Sequence, residues 1–201
     1  MTILITQPAP DFTAPAVLGT GEIIENFSLS KTIKNKYALV FFYPLDFTFV
    51  CPSELIALDH RMTEFKKRNI EVIGISIDSQ FTHHAWRKTK INEGGIGPVK
   101  FTLVADINHR ITKSYGVEHP DAGVAFRGAF MIDKKGVVRS QIVNDLPIGR
   151  NADEIIRIFD AIDFCETHGE VCPANWKPGD KGMKASPDGV AGYLASHAET
   201  L

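Results

Sequence analysis

Two apolar runs with a helix-patterned stretch between them leave this chain few folds to adopt. Residues 37–42 and residues 70–77 are both nearly continuous in Val, Ile, Leu and Phe, the pattern of strands buried on two faces. Between them Leu55, Leu58, Met62 and Phe65 recur at helical spacing. Two strands joined by a helix of this length form a crossover, which makes the pair parallel. The chain is therefore expected to be an α/β protein.

Cys51 sits where the first strand hands over to that helix, with Pro52 at the first helical position, a place proline favours. Unpaired backbone N–H groups and the positive end of the helix dipole stabilise a thiolate there, and the thiolate is the reactive form of cysteine. A buried cysteine can also be an inert small hydrophobe. Thr48, able to offer a hydroxyl to the sulfur or to an oxygen bound to it, and Pro44, able to shield it from water, favour the reactive reading.

With 201 residues the chain can bury one sizeable core. A net charge of −2 gives no electrostatic case for nucleic acid or an anionic membrane. Lys66, Lys67 and Arg68 read as a solvated helix end. The first eight residues lack a leader's basic region, and no apolar stretch approaches a membrane span. Three cysteines, none at metal-site spacing, argue against a static disulfide scaffold; working thiols in the cytoplasm, with no metal and no cofactor, fit better.

Further along, residues 7–18 read as an irregular entry. Asp78 and Ser79 suit the start of a helix through residues 81–89, residues 99–105 read as a strand, and 108–114 as a short helix. Residues 124–132 and 137–143 flank a tight turn at Asp133-Lys134-Lys135-Gly136. The second strand of this hairpin, with no later strand to pair with, is expected at a sheet edge. Residues 151–167 form an amphipathic helix with Ile155, Ile158, Phe159 and Ile162 on one face. From His168 on, prolines and glycines interrupt any pattern, and only 189–198 read as helical. The expected domains are a core, 1–167, and a C-terminal tail, 168–201.

The spacing Pro44-x-x-x-Thr48-x-x-Cys51 resembles the peroxidatic motif of the peroxiredoxins. The resemblance continues through Phe126-Arg127-Gly128-Ala129-Phe130, through Asn144-Asp145-Leu146-Pro147-Ile148-Gly149-Arg150 and through His168-Gly169-Glu170-Val171-Cys172-Pro173, which are similar to segments of the typical two-cysteine subgroup. It implies a thioredoxin-like fold, a mixed central sheet with flanking helices and an extended C-terminal tail. It also implies a thiol-dependent peroxidase for hydrogen peroxide and organic hydroperoxides.

Cys51 would be the peroxidatic residue and Cys172 the resolving one, contributed by the other subunit of a homodimer, with five dimers closing into a decamer. Thioredoxin or a dedicated disulfide reductase would regenerate the thiols. Arg127, by residue type a catalytic cation or a surface arginine, would face Cys51. Glu54 and Arg150, otherwise a first-turn acid and a surface cation, would orient it. Trp86, otherwise a core residue, would edge the pocket.

Cys165 lacks any motif and reads as a partly buried bystander. His83, His84, His109 and His119 read as exposed and idle. Gly94-Gly95-Ile96-Gly97 resembles a motif of overoxidation-sensitive members, but Tyr193-Leu194 stands where they have Tyr-Phe, which should weaken packing of the tail. Thr102 replaces a proline common in relatives, which puts loop rigidity there in doubt. A holdase chaperone or a redox-relay sensor is the alternative function.

Overall fold

The computed structural model describes residues 3–201; Met1 and Thr2, the start of the stretch read as leaderless, lie outside the described residues. The chain forms two compact units, Met1–Ala152 and Asp153–Leu201.

The first unit is built on a seven-stranded mixed sheet. In chain order come β1 (Thr13–Val17), β2 (Ile23–Ser28), α1 (Leu29–Thr32), β3 (Tyr37–Phe42), α2 (Cys51–His60), α3 (Met62–Lys67), β4 (Ile70–Ser76), α4 (Gln80–Lys88), β5 (Thr102–Ala105), α5 (Arg110–Ser114), β6 (Arg127–Ile132) and β7 (Val138–Asn144). Their order across the sheet is β2-β1-β5-β4-β3-β6-β7. The crossover from β3 through α2 and α3 to β4 is parallel, as its pattern demanded, and β4 continues parallel to β5.

Every residue of β3 is buried, because both faces of the sheet are covered. Ala38, Val40 and Phe42 share one core cluster with Ile73, Ile75, Val104, Phe130 and Ile132. Leu39 and Phe41 alternate onto the opposite face. There Gly74 is required by close approach, since a Cβ would stand 2.7 Å from the Phe41 ring.

Three departures from the sequence pattern have local causes. Residues 7–18 are not wholly irregular: Thr13–Val17 is a strand, paired antiparallel to β2 and, through Ala16 and Val17, to β5. The helix after Cys51 breaks at Arg61, whose φ of −99° and ψ of 3° leave α-helical geometry, although Leu55, Leu58, Met62 and Phe65 are all buried as expected. Thr102 opens β5 opposite Ile73 and is buried, so the position belongs to a strand rather than a loop.

The hairpin β6–β7 turns where expected, with Gly136 at φ +80°. β7 is the last strand of the sheet, and its start is covered by the N-terminal segment: Thr6 N–H donates to Val138 O and Val138 N–H to Gln7 O, at 2.8 and 2.9 Å.

The second unit holds α7 (Pro187–His197) and, apart from its first residue, α6 (Ala152–His168). On α6 the buried residues are Ile155, Ile156, Phe159 and Ile162, so Ile156 takes the place expected for Ile158. Trp176 is buried and its ring lies 5.0 Å from Phe164 of α6. No helix among the described residues is long and apolar enough to cross a membrane.

Candidate active site

Sheet topology brings distant residues to Cys51. β6 runs antiparallel to β3, with Phe41 opposite Ala129, so the first residue of β6, Arg127, lies beyond the C-terminal end of β3. That same end feeds the loop into α2, whose first residue is Cys51. Arg127 in turn pairs with Asn144 at the end of β7, and the chain leaving β7 returns through Leu146 to Arg150. Gly149 makes this return possible, because a Cβ there would lie 3.3 Å from Val50.

The resulting cluster is dry. Cys51 is fully buried, and the side chains of Arg127, Glu54 and Arg150 are 4%, 3% and 3% exposed. Arg127 Nη1 donates to the Cys51 sulfur at 3.4 Å and to Glu54 Oε2 at 2.6 Å, while its Nε donates to Leu146 O at 2.6 Å. Arg150 donates to Glu54 Oε1 from its backbone N–H at 2.9 Å and from Nε at 2.8 Å, and from Nη2 to Oε2 at 3.1 Å. Arg150 Nη1 is satisfied by Gly128 O.

One carboxylate thus receives three hydrogen bonds from two guanidinium groups and a fourth from the Arg150 backbone N–H. The set carries one surplus positive charge out of water, where an uncompensated charge is costly. A thiolate at Cys51 makes the group neutral.

The loop before Cys51 is held in an unusual shape. Phe47 adopts φ +54°, a left-handed conformation that costs an L-residue about 1–3 kcal/mol. Its ring packs 5.8 Å from that of Trp86, which is fully buried and donates Nε1–H to Gly94 O at 2.9 Å. Trp86 therefore ties the loop to the Gly94-Gly95-Ile96-Gly97 segment. Gly95 is fixed there by sterics, since a Cβ would fall 2.0 Å from Thr89 O.

Pro44 is buried at the start of the loop. The Thr48 hydroxyl does not donate to Cys51: its hydrogen goes to Leu45 O at 2.7 Å. In this arrangement Thr48 presents a lone pair, not a proton, to an arriving molecule.

A second buried network braces the same loop and was not foreseen. His83, expected to be exposed and idle, is fully buried; its Nδ1 lies 2.7 Å from Asp46 Oδ2 and its Nε2 3.2 Å from Val104 O. It sits on the inward face of α4, which the loop closes over. Tyr43 O–H donates to Asp46 Oδ1 at 2.8 Å, and Asp46 N–H donates to Asp78 Oδ2 at 2.8 Å. Burial pushes the Asp46 carboxyl above its ordinary value, opposed by the hydrogen bond and charge of His83. Burial, then the Asp46 charge, also holds Tyr43 well above its ordinary value. The only sequence signal was Asp46 lying inside the cysteine loop.

Cys172 and Cys165 belong to the second unit. Both are free and half-buried, with their sulfurs 3.7 Å apart. Burial, then the hydrogen bond with Cys165, pushes the Cys172 thiol up to about 12. Leu194 is exposed, and Tyr193 stacks on His197 at 4.3 Å. Among the described residues no group of three or more His, Cys, Asp or Glu is placed to hold a metal ion.

A sequence profile of the AhpC/TSA family matches residues 5–141. The chain belongs to this family, the peroxiredoxins. A profile of the C-terminal domain of 1-Cys peroxiredoxin matches residues 161–196. Alkyl hydroperoxide reductase C of Helicobacter pylori is 53% identical, covering 99% of this chain and all of that one. The protein of the same name from Buchnera aphidicola (Baizongia pistaciae) is 52% identical over 96% of both chains. The solved structure of reduced 2-Cys peroxiredoxin from Plasmodium vivax superposes with a TM-score of 0.93 at 49% identity, covering 97% of this chain and all of that one. The thioredoxin-like fold expected of a peroxiredoxin is therefore present, and this peroxiredoxin is a thiol-dependent peroxidase.

Proposed function

We propose that this peroxiredoxin reduces hydrogen peroxide and organic hydroperoxides through Cys51. The Cys51 thiolate attacks one peroxide oxygen, which keeps its hydrogen; the O–O bond breaks, and the departing oxygen takes a proton from solvent, where the thiol had released its own, to leave as water or alcohol. Cys51 is left as a sulfenic acid. The observation that carries this reading is the position of Arg127 Nη1, 3.4 Å from the sulfur and clamped by Glu54. The two N–H groups on Arg127 Nη2 have no partner among the described residues, so they can meet negative charge developing on the departing oxygen. Arg150 holds Glu54, Thr48 accepts the hydroperoxide hydrogen, and Pro44 and Trp86 keep the loop closed against water.

Cys172 of the partner subunit then condenses with the sulfenic acid, releasing water and forming an inter-subunit disulfide. The tail beyond residue 168 is the element that moves. β7, last in its sheet, supports a dimer formed by two copies meeting edge to edge, and five such dimers would close a decamer. Thioredoxin or a dedicated disulfide reductase restores the thiols. Three free cysteines suit a reducing compartment, the cytoplasm. The holdase and relay-sensor alternatives are not favoured, since relatives at about half identity over the whole chain carry enzyme names.

Peroxide-dependent NADPH oxidation, with each reductant system supplied in turn, tests the reading. Rapid oxidation with one system supports it. Slow oxidation with both, alongside a stable mixed disulfide to one target protein, contradicts it.

A further inference from the structure

The expected bystander Cys165 is in van der Waals contact with the residue proposed to resolve. Cys165 lies in the last turn of α6, and Gly169, at φ +66°, reverses the chain after donating its N–H to Cys165 O at 3.0 Å. The reversal lays Cys172 back on the helix. Its sulfur approaches Ala161 O and Cys165 Sγ, each at 3.7 Å. Val171 and Met183 exchange two backbone hydrogen bonds, and Trp176, bonded through its carbonyl to Arg157 of α6, closes the segment down. A disulfide bond is about 2 Å long, so the two sulfurs are one side-chain adjustment from bonding.

We infer that Cys165 is a third redox-active thiol, which takes Cys172 from the inter-subunit disulfide and leaves an in-chain Cys165–Cys172 disulfide for the reductant. This rests on the peroxidase reading with Cys172 as resolving residue. The step is a thiol–disulfide exchange. Cys165 gives its proton to solvent, and its sulfur lone pair forms the new bond to Cys172 Sγ. The pair of the old bond leaves on Cys51 of the partner subunit, where the Arg127 guanidinium receives the thiolate. No further oxidant or reductant is needed: over the whole sequence hydroperoxide is reduced, and Cys165 and Cys172 are oxidised.

The direction of exchange follows from the two ends of the disulfide. A thiol with a low pKa departs faster, and the Cys172 thiol on α6 is pushed up to about 12, so it is the poorer leaving group. Attack at Cys172 sulfur, the neighbour of Cys165, also expels the sulfur that has a guanidinium waiting. Docking of the tail back onto α6 then favours the in-chain product. Cys51 is returned reduced while the oxidising equivalents sit on the tail.

Reduced protein freed of reductant is treated with equimolar hydrogen peroxide, alkylated, and analysed by non-reducing gel and peptide mapping. Wild type is expected to yield chiefly the Cys165–Cys172 peptide pair in single-chain bands, with Cys51 open to alkylation. Cys165→Ser is expected to stay as Cys51–Cys172 in joined pairs of chains. In a second arm, Cys51→Ser equilibrated with oxidised and reduced glutathione is expected to form Cys165–Cys172 without peroxide.

Wild type that consumes peroxide but carries only Cys51–Cys172, with Cys165 alkylated, overturns the exchange and leaves the peroxidase reading standing. Failure of the pair to form in any glutathione ratio also overturns it. No peroxide consumption at all defeats the peroxidase reading itself, and the exchange with it.

Discussion

A single nitrogen of Arg127, Nη1, lies 3.4 Å from the sulfur of Cys51 and 2.6 Å from Oε2 of Glu54. Glu54 therefore acts on the sulfur at one remove, by fixing where the guanidinium charge sits. Arg150 fixes Glu54 in turn.

Arg127→Lys keeps a charge but loses the fork that reaches sulfur, carboxylate and Leu146 O together. The expected loss is about a hundredfold in the second-order rate of peroxide reduction, the usual worth of one preorganised donor. Stopped-flow peroxide kinetics check it. A loss of less than about threefold would place Arg127 outside the chemistry.

Glu54→Gln removes the carboxylate that lies between two buried guanidinium groups. Breaking a buried ion pair from one side costs about 3–5 kcal/mol, and urea unfolding of the variant should show a loss of that order. Its peroxide rate should fall too, because Arg127 is no longer held at the sulfur. Unchanged stability would mean that the two arginines are paired elsewhere.

Asp46→Asn tests the network under the loop through its pH dependence. The Asp46 carboxyl is raised by burial in the folded protein. A raised carboxyl contributes stability below its unfolded value and loses it as pH rises through the folded value. The unfolding free energy of wild type relative to Asp46→Asn should therefore fall as pH climbs through that window. A difference that rises with pH would show that His83 holds Asp46 ionised throughout.

Much of the frame was legible because its signals are local. The buried strands β3 and β4, the tight turn at Gly136 and the helix start at Cys51-Pro52 each follow from adjacent residues. β1 was hidden because Ala14, Pro15 and Ala16 carry little strand signal; its burial comes from pairing with β5, far along the chain. Cys51 and Glu54 lie one turn apart on α2 and could be joined from spacing. Arg127 and Arg150 could not, since only the β3–β6–β7 register brings them there, and the family resemblance supplied that step. His83 was misjudged because its hydrogen-bond partner, Asp46, lies 37 residues away. The Cys165–Cys172 contact was missed because a spacing of seven gives no sign that Gly169 folds the chain back.

Assembly gives a fourth test. β7 ends the sheet; Thr6 and Gln7 bond to Val138 at its start, and Leu4 N–H donates to the Gln141 side chain at 2.9 Å. In Cys165→Ser, where exchange is blocked, mild peroxide should join two chains through Cys51 and Cys172. The joined band should vanish when Cys172→Ser is added. Peptide mapping that found Cys51 and Cys172 bridged within one chain would contradict inter-subunit resolution.

The central claim is that Cys51 reacts with peroxide, and Cys51→Ser tests it most directly. Serine nearly matches cysteine in shape, yet its hydroxyl is far less acidic and far less nucleophilic. Peroxide consumption by the variant, with circular dichroism confirming the fold, should drop to background. A folded Cys51→Ser protein that kept about a tenth of wild-type turnover would contradict the account, because a serine hydroxyl there cannot replace the thiolate.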